Sequence, residues 1–530
     1  MINKIKIALY ALTISMFVVG CSDDEDSATG NSSGSADASY AGTWTVTSNG
    51  NYENGDCTGA QNESSYSSSE SITLNADGTL VSNSSQCDDP TDDMYDMMCT
   101  GTWSSTDGVI TFTLFLESVG TVSIENGITL MTVNSITTMN EEPYCGYSIY
   151  ALNAPSLVSY EFTNDSGQST VSYSGQIVRD LLIRDIKSAI ADGVTAAELL
   201  VFYENSDASA TIAESSDYDA VQTTYHEIST SNLSGKIADV DGSGANSFPW
   251  NPADNVLGYD MTPDALMNAW FTAAETMTNQ ETPEGVRVDQ MVAKGLLGMV
   301  AYYQGTSVYL HPDKIDGADN SGPDGDNAYT KMEHYWDESF GYFGAHRDYW
   351  TLSNDNRRGA YNTDWFNETI DYLSEYSFDW AAYAAKRDDC SGCDHDGSFG
   401  STIMGAYLEG RAAISNGGNM TQARAYAEII QNTWEKVVAA NIVHYINDVQ
   451  SGITAGTDFN KVWAEMRAFA LCMQYNYNSA MTSSDLSAMI TSMGNQPPTT
   501  DLTAYSATLE EIKTTIGTTF MFTDNDLANW

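Results

Sequence analysis

Apolar residues alternate with polar ones along the first part of the chain and recur every three or four residues along the rest. In residues 40–155, the alternating runs are separated by Asp77-Gly78, Asp107-Gly108 and Asn126-Gly127, dipeptides that supply the positive backbone angles of tight hairpins. In residues 156–530, the longer period is typical of amphipathic helices. The pattern predicts a multidomain protein, with a small antiparallel β-domain followed by a large, mainly α helical-bundle domain.

Two similar tripeptides each open a predicted strand of the β-domain. They are Gly42-Thr43-Trp44 and Gly101-Thr102-Trp103, and both resemble the Gly-x-Trp of lipocalin-like barrels. The resemblance implies a lipocalin-like barrel, whereas the alternation of residues alone fits a barrel or a sandwich equally well.

The helical part opens with an apolar stripe that begins at Ile177 and ends at Ile190. Ser174 can cap the start of this helix, and Gly193 can end it. Comparable patterns predict further helices over residues 263–277, 289–308, 329–342, 401–415, 423–446 and 458–475.

The first 20 residues have the organisation of a bacterial lipoprotein signal peptide. Lys4 and Lys6 form a basic region, residues 7–19 an apolar region, and a small-residue cleavage site ends in Cys21. The apolar region is too short to span a bilayer in the mature protein. We expect removal of residues 1–20 and lipidation of Cys21, which would attach the protein to the membrane.

Residues 21–39 contain almost no apolar side chains and therefore read as a disordered, acidic and Ser-rich tether. Ser22 follows the lipidated cysteine, and this resembles an outer-membrane address. The acidic run at 23–26 is either a surface-export tag or an ordinary acidic linker. We expect a cell-envelope protein that is anchored to the outer membrane on its periplasmic or external face.

The chain is strongly acidic, with 21 Lys and Arg against 72 Asp and Glu among 530 residues, and a net charge of −51. Binding to nucleic acid requires a basic footprint that displaces counterions, so this composition argues against nucleic acid as a partner. A salt-adapted environment and dedicated cation binding are both compatible with this charge.

The cysteines agree with an oxidising compartment. Cys57, Cys87, Cys99 and Cys145 predict two disulfides in the β-domain, and their connectivity stays open among three possibilities. The pair Cys390 and Cys393 is interpreted either as a small disulfide loop or, together with His395, as part of a zinc site.

One Asp/Gly-rich loop has the spacing of the first half of an EF-hand. Its oxygen ligands would come from Asp239, Asp241 and Ser243, which makes it a candidate calcium loop. Trp250 stands where the EF-hand has its bidentate glutamate, and this difference favours an ordinary loop.

The segment 331–344, with the sequence KMEHYWDESFGYFG, is the main candidate site. On a helix, His334 and Glu338 lie one above the other, as do Glu333 and Asp337, so two pairs of potential ligands project from neighbouring stripes. Because one helix turn rarely completes a coordination shell, a metal needs further ligands from other helices.

The available partners for such a shell are His346, His444 and Glu465. Nitrogen and carboxylate ligands suit iron, manganese or zinc. The alternative is a buried network, because Arg179, Lys294, Arg411 and Arg467 lie in apolar helical stretches and can neutralise the same carboxylates.

Four sequence blocks resemble one family of bacterial lipoproteins, DUF4856. They are YSGQ at 173–176, KGLLG at 294–298, EHYWDESFGYFG at 333–344 and GRAAI at 410–414. The blocks occur in the family's order, and the resemblance covers roughly residues 157–490. The family has no established reaction.

The chain also resembles the imelysin-like helical envelope proteins, which are linked to iron uptake and carry a GxHxxE motif. Gly344-Ala345-His346 matches the first half of that motif, and Tyr349 replaces its glutamate. The resemblance implies non-enzymatic capture of iron outside the cell, together with an outer-membrane uptake receptor as partner.

Two other functions stay open. The many aromatic residues, with 31 Tyr, 16 Phe and 11 Trp, fit a glycan-binding surface lipoprotein. A metal-dependent hydrolase could use Glu333 or Glu338 as the base for a metal-bound water. The chain has no P-loop and no dinucleotide motif, so we expect a binding protein rather than an enzyme.

Overall fold

We describe the protein from a computed structural model of the full chain. The structure describes residues 40–152 and 159–530 except for 41, 53, 60, 65–70, 76–77, 83–98, 107–108, 114–116, 126–127, 140–141, 165, 217–218, 239–254, 278–279, 350–351, 353–356, 358–368, 371, 373–378, 396 and 416–419. The chain forms two compact units, one that ends at Ser156 and one that spans Leu157–Trp530.

The first unit is antiparallel, as the alternation predicts, and of the two architectures left open, a barrel or a sandwich, it forms the barrel. Its described strands are β1 (Gly42–Tyr52), β2 (Gln61–Ser64), β3 (Ser71–Leu74), β4 (Thr79–Ser82), β5 (Thr100–Thr106), β6 (Val109–Thr113), β7 (Glu117–Glu125), β8 (Ile128–Met139) and β9 (Glu142–Leu152). Eight of them close a ring in the order β1, β3, β4, β5, β6, β7, β8, β9, because β1 also pairs with β9. The short strand β2 pairs only with the end of β1.

The two Gly-x-Trp tryptophans point into the core of this barrel. Trp44 is wholly buried, and its indole nitrogen donates to the carbonyl of Tyr40 at 3.0 Å. Trp103 donates in the same way to the carbonyl of Asn75 at 2.8 Å. The interior is packed with aromatic and aliphatic side chains, and burying a tryptophan with its N–H satisfied stabilises the fold.

Disulfides fasten the barrel as the cysteine pattern predicts. Cys57 is bonded to Cys145, and Cys99 is also in a disulfide. Cys87 lies outside the described residues.

The second unit is mainly helical. Its described helices are α1 (Ser174–Asp192), α2 (Ala196–Glu204), α3 (Tyr225–Ile228), α4 (Pro263–Ala274), α5 (Val288–Leu296), α6 (Pro312–Asp316), α7 (Lys331–Phe343), α8 (Asp379–Asp388), α9 (Phe399–Ser415), α10 (Met420–Ala455), α11 (Asn460–Cys472), α12 (Ser483–Met493), α13 (Leu502–Phe520) and α14 (Asp524–Asn529). A π-helical segment, Leu297–Val308, continues α5.

Three differences from the predicted helices are informative. The helix expected over residues 289–308 is divided into α5 and the π-helical segment, and α10 extends nine residues beyond its predicted end at 446. The first residue of α1 is Ser174, but the side chain of Ser174 does not cap it; Tyr173 occupies the N-cap position without a side-chain cap. Gly193 ends α1 in the left-handed conformation, as expected.

Helix α7 lies at the centre of this unit. It packs against α1, α8, α9 and the π-helical segment. A Cβ on Gly341 would lie 2.8 Å from Cβ of Gln176, so glycine is required for α1 to approach α7 this closely. This approach brings the first turn of α1 against the C-terminal half of α7.

A disulfide loop follows α8. Cys390 is bonded to Cys393, and the carbonyl of Gly392 within this loop accepts a hydrogen bond from the side chain of Asn529 at 3.0 Å. The indole of Trp530 donates to the carbonyl of Arg387 at 3.1 Å. The loop therefore binds α14 to the end of α8. Among the described residues, none of the helices combines the length and the apolar character that a membrane crossing needs.

Candidate functional site

Helix α7 has well-defined ends, which fix the positions of its side chains. At its start, Thr330 accepts from the backbone of Glu333 at 3.2 Å, and the Glu333 carboxylate accepts from the backbone of Thr330 at 2.8 Å, so the two residues form a capping box. Gly344 ends the helix in the left-handed conformation. Glu333 thus caps α7 and also contacts Arg411.

The inner stripe of α7 is neutralised by Arg411 from α9. The Arg411 guanidinium donates to Glu333 at 2.7 Å and to Asp337 at 2.8 Å, and it is completely buried. Asp337 also accepts from the hydroxyl of Tyr160 at 2.8 Å and from the backbone of Ser172 at 3.2 Å. A buried carboxylate is costly unless a cation and hydrogen bonds satisfy it, and here both are present.

The pKa values of Asp337 and Glu333 shift in opposite directions. Burial raises the pKa of Asp337 above its usual range, although the Arg411 guanidinium and the hydrogen bonds oppose that rise. Burial also acts on Glu333, but Arg411, the backbone of Thr330 and the Ser415 hydroxyl together hold the pKa of Glu333 below its usual range. Both carboxylates are therefore engaged with Arg411 inside the bundle.

The outer stripe of α7 is only partly buried. His334 Nε2 lies 3.9 Å from Glu338 Oε1, and the two side chains are 25% and 16% exposed. His334 Nδ1 lies 3.1 Å from the carbonyl of Ser172. A carbonyl can only accept, so Nδ1 carries a proton and the second ring nitrogen faces the carboxylate.

Glu338 is the centre of a polar cluster from three parts of the chain. It accepts from the Gln176 side chain at 3.2 Å and contacts the hydroxyl of Tyr309, the residue that follows the π-helical segment. The Lys236 ammonium donates to that same tyrosine hydroxyl at 2.8 Å. Burial lowers the pKa of Lys236, and Glu338 opposes this effect.

Aromatic side chains flank this cluster on the protein surface. The ring of Tyr329 stacks on the His334 ring at 4.5 Å between centroids, with 13° between the planes. Tyr335, one residue further along α7, is half-buried. We name the surface formed by Tyr329, His334, Tyr335 and Glu338 the α7 face. It offers flat rings beside hydrogen-bonding groups.

The structure places the remaining predicted ligands elsewhere. His346 is buried beyond the end of α7, where its Nδ1 accepts from the backbone of Asp348 at 2.9 Å, and burial lowers its pKa to about 4. His444 lies on α10, 3.6 Å from Asp448, and burial lowers its pKa to about 4. Glu465 on α11 forms an ion pair with Lys294 at 3.5 Å.

In the part of the chain that the structure describes, no group of three or more His, Cys, Asp or Glu side chains is arranged to hold a metal ion. The candidate calcium loop, with Asp239, Asp241 and Ser243, lies outside the described residues. His395 contacts Asp388 at 3.0 Å. Cys390 and Cys393 are bonded to each other, in agreement with the interpretation of this segment as a small disulfide loop.

Sequence reasoning anticipated one part of the site and missed another. The expected pairing of buried cations with carboxylates is found for Arg411 and Lys294. Lys236 and Tyr309 were missed because they lie outside the periodic stripes. They come close to Glu338 only in the folded structure. The scarcity of lysine in this chain was the signal that could have directed attention to Lys236.

The fold defines a two-domain protein, with an antiparallel eight-stranded barrel followed by a large helical domain. Residues 157–523 match the model of a family described as a domain of unknown function, DUF4856. The match covers more than half of the chain, and the protein belongs to this family. No curated protein matches the chain. No solved structure matches it either.

Proposed function

We propose that this protein is a lipoprotein, anchored to the cell envelope through Cys21, that captures a glycan on the α7 face without transforming it. The supporting observation is the α7 face itself. The half-exposed rings of Tyr329 and Tyr335 lie beside Glu338, Gln176 and His334. Flat rings can pack on sugar rings while the polar groups bind hydroxyls, and such convergence of rings and polar groups is typical of ligand sites.

The electrostatics of the inner stripe support this choice of face. Glu333 and Asp337 are engaged with Arg411 and buried, so they cannot reach a ligand without breaking that network. Glu338 and His334 remain partly exposed. A ligand of α7 would therefore contact the outer stripe.

Glycan binding is tested with the mature protein and a panel of soluble oligosaccharides, measured by calorimetry. We expect saturable binding to at least one class, weakened about tenfold or more, or 1.4 kcal/mol, by Tyr335→Ala. Phe522→Ala removes a half-buried aromatic near the end of the chain and serves as the control. Absence of binding to every oligosaccharide, or equal weakening by both variants, would refute the proposal.

The anchor is tested separately in cells. Replacement of Cys21 by Ala should move the protein from the membrane fraction to the soluble fraction and abolish incorporation of labelled fatty acid. Protease added to intact cells then distinguishes the external from the periplasmic face. A Cys21→Ala variant that stays in the membrane fraction would contradict lipid anchoring.

A second candidate function is capture of a metal cation, in the manner of imelysin-like iron-uptake proteins with an outer-membrane receptor. It is favoured by the protonation of His334 at Nδ1, because the other nitrogen then faces Glu338 and forms a nitrogen and oxygen pair suited to iron, zinc or manganese. Elemental analysis after exposure to each metal, repeated with His334→Ala, tests it. A metal-free wild-type protein would exclude it.

A further inference from the structure

Three lysines converge beside the α7 face. Lys314 Nζ lies 4.3 Å from the ring centroid of Tyr335 and 5.3 Å from that of Tyr309. Lys331 lies 5.8 Å from the Tyr335 centroid, and Lys236 lies 5.3 Å from the Tyr309 centroid. Two tyrosine rings thus gather three ammonium groups, and we name Lys236, Lys314 and Lys331 the lysine cluster.

The lysine cluster brings three cations together in a strongly acidic chain. Lysine and arginine together number 21 against 72 acidic residues, so a cation normally has carboxylates at hand. Other cations use them, as Arg411, Lys294 and Arg424 form ion pairs. By contrast, none of the three clustered lysines forms a salt bridge with a carboxylate in the described part of the chain.

Two of the nearby carboxylates are engaged elsewhere, and Asp313, beside Lys314 in sequence, lies 3.8 Å from His311 Nδ1. Asp316 is bound by Arg424 at 3.0 Å, and Asp319 accepts from the hydroxyl of Ser321 at 2.7 Å. Glu338 is the carboxylate that faces Lys236, and Gln176 and His334 share it. One partly shared carboxylate cannot balance three ammonium groups.

Mutual repulsion within the cluster has a visible effect. Burial lowers the pKa of Lys236; Glu338 opposes this effect, and the charges of Arg179 and Lys314 add to it. An anion bound between the ammonium groups would relieve this repulsion, whereas a bound cation would increase it. Lysine recognises carboxylates and sulfates as a point charge, without requiring a fixed geometry.

We propose that the captured glycan is acidic, and that the lysine cluster binds its carboxylate or sulfate group while the sugar ring lies against Tyr335. This inference rests on the proposed glycan capture at the α7 face. An acidic oligosaccharide of a few units presents isolated charges, unlike the dense phosphates of a nucleic acid. At about 0.15 M salt, charges farther than about 8 Å are largely screened, so the cluster competes mainly with the acidic residues close to it.

The test compares one oligosaccharide in two forms, an oligouronate and its carboxyl-reduced neutral counterpart, with a sulfated oligosaccharide as a third probe. Calorimetry of the mature protein should show the acidic forms bound at least about tenfold tighter than the neutral form, which corresponds to 1.4 kcal/mol. Preference for uronate or for sulfate identifies the anionic group.

Two matched double variants locate the effect. Lys314→Gln with Lys331→Gln should weaken binding of the acidic probe about tenfold and leave the neutral probe unchanged, because each exposed ionic contact is worth a few-fold in affinity. Lys436→Gln with Lys461→Gln changes the net charge equally on other helices and should leave both affinities unchanged. Unchanged circular dichroism and melting show that both variants fold.

The outcomes separate the two proposals. Equal binding of the acidic and neutral forms, or equal weakening by both double variants, overturns the lysine cluster and leaves glycan capture standing. Binding to neutral oligosaccharides alone would likewise overturn the lysine cluster and leave glycan capture standing. Absence of binding to every probe overturns both proposals.

Discussion

Replacement of Arg411 by methionine tests whether the inner stripe of α7 depends on a single buried cation. Methionine keeps most of the apolar stem but removes the guanidinium that lies 2.7 Å from Glu333 and 2.8 Å from Asp337. Asp337 is completely buried, so water cannot replace the lost partner without opening the bundle. We expect a large loss in the free energy of unfolding.

The size of this loss follows from two limits. Removal of one partner from a buried ion pair costs about 3–5 kcal/mol. The protein can avoid part of this cost by protonating the abandoned carboxylate, which costs about 4 kcal/mol at about pH 7 for an ordinary aspartate. Because Glu333 keeps its hydrogen bond from the backbone of Thr330, Asp337 dominates. We expect Arg411→Met to lose about 4 kcal/mol at about pH 7.

The same reasoning predicts a pH dependence. Burial already raises the pKa of Asp337 in the wild type, and loss of Arg411 raises it further, so the variant loses stability more steeply than the wild type as pH rises. Protonation of an ordinary aspartate costs only about 1.5 kcal/mol at about pH 5, and the difference between wild type and variant should shrink to about that value. Urea unfolding followed by the circular dichroism of the helices measures both values.

Two controls accompany this variant. Arg424→Met removes an exposed arginine that pairs with Asp316, and it should change stability little because surface pairs contribute weakly. Adding Asp337→Asn to Arg411→Met removes the charge that was left unpaired, and should recover part of the lost stability at about pH 7. A loss below about 1 kcal/mol, or a loss that is the same at both pH values, would refute the reasoning.

Three further predictions concern other parts of the helical domain. A Cβ on Gly410 would lie 2.0 Å from the Trp336 ring, so Gly410→Ala should destabilise by about 1–3 kcal/mol in urea unfolding, whereas Gly405→Ala, with open space, should stabilise by up to about 1 kcal/mol. Burial raises the pKa of Glu435 to about 7; its contribution to stability should therefore fall as pH rises from about 5 to about 7, and Glu435→Gln should make the pH dependence of stability less steep in this range. Reduction of the disulfide at 390–393 should accelerate amide exchange in α14, and unchanged exchange would contradict its role in holding that helix.

The strands and hairpins of the β-domain were predictable because local patterns determine them. Residues of alternating polarity set the strands, and the strands on either side of Asp77-Gly78, Asp107-Gly108 and Asn126-Gly127 pair antiparallel. Closure of the ring between β1 and β9 was not visible in the sequence, since alternation fits a sandwich equally well. It depends on pairing across about a hundred residues, which no local pattern encodes.

The end of α10 shows why helix boundaries are harder to predict. The apolar stripe ends near residue 446, but the helix continues to Ala455. Asn447 donates to the carbonyl of Leu527 at 3.0 Å, and Gln450 donates to the carbonyl of Ser506 at 2.9 Å. Polar contacts with the C-terminal helices thus stabilise turns that a hydrophobic period does not predict.

The candidate site was likewise predictable from the sequence only in part. Helical spacing alone predicted that Glu333 lies beside Asp337 and that His334 lies beside Glu338. Because buried carboxylates are costly without cationic partners, buried arginine was also expected. The spacing could not tell which stripe faces the core. Lys236 also has no periodic relation to α7, because its position beside Glu338 depends on how the loop before the calcium-like segment packs.

The division of α7 into two stripes makes stability and binding separable. The inner stripe is closed by Arg411, so a change at Glu333 or Asp337 acts on the free energy of unfolding whether or not a ligand is present. The outer stripe is partly exposed, so a change at Glu338 or Tyr335 leaves most of the packing intact. If α7 carries the binding site, outer variants must lose affinity at unchanged stability. A ligand whose affinity follows the inner stripe instead would place the site elsewhere in the helical domain.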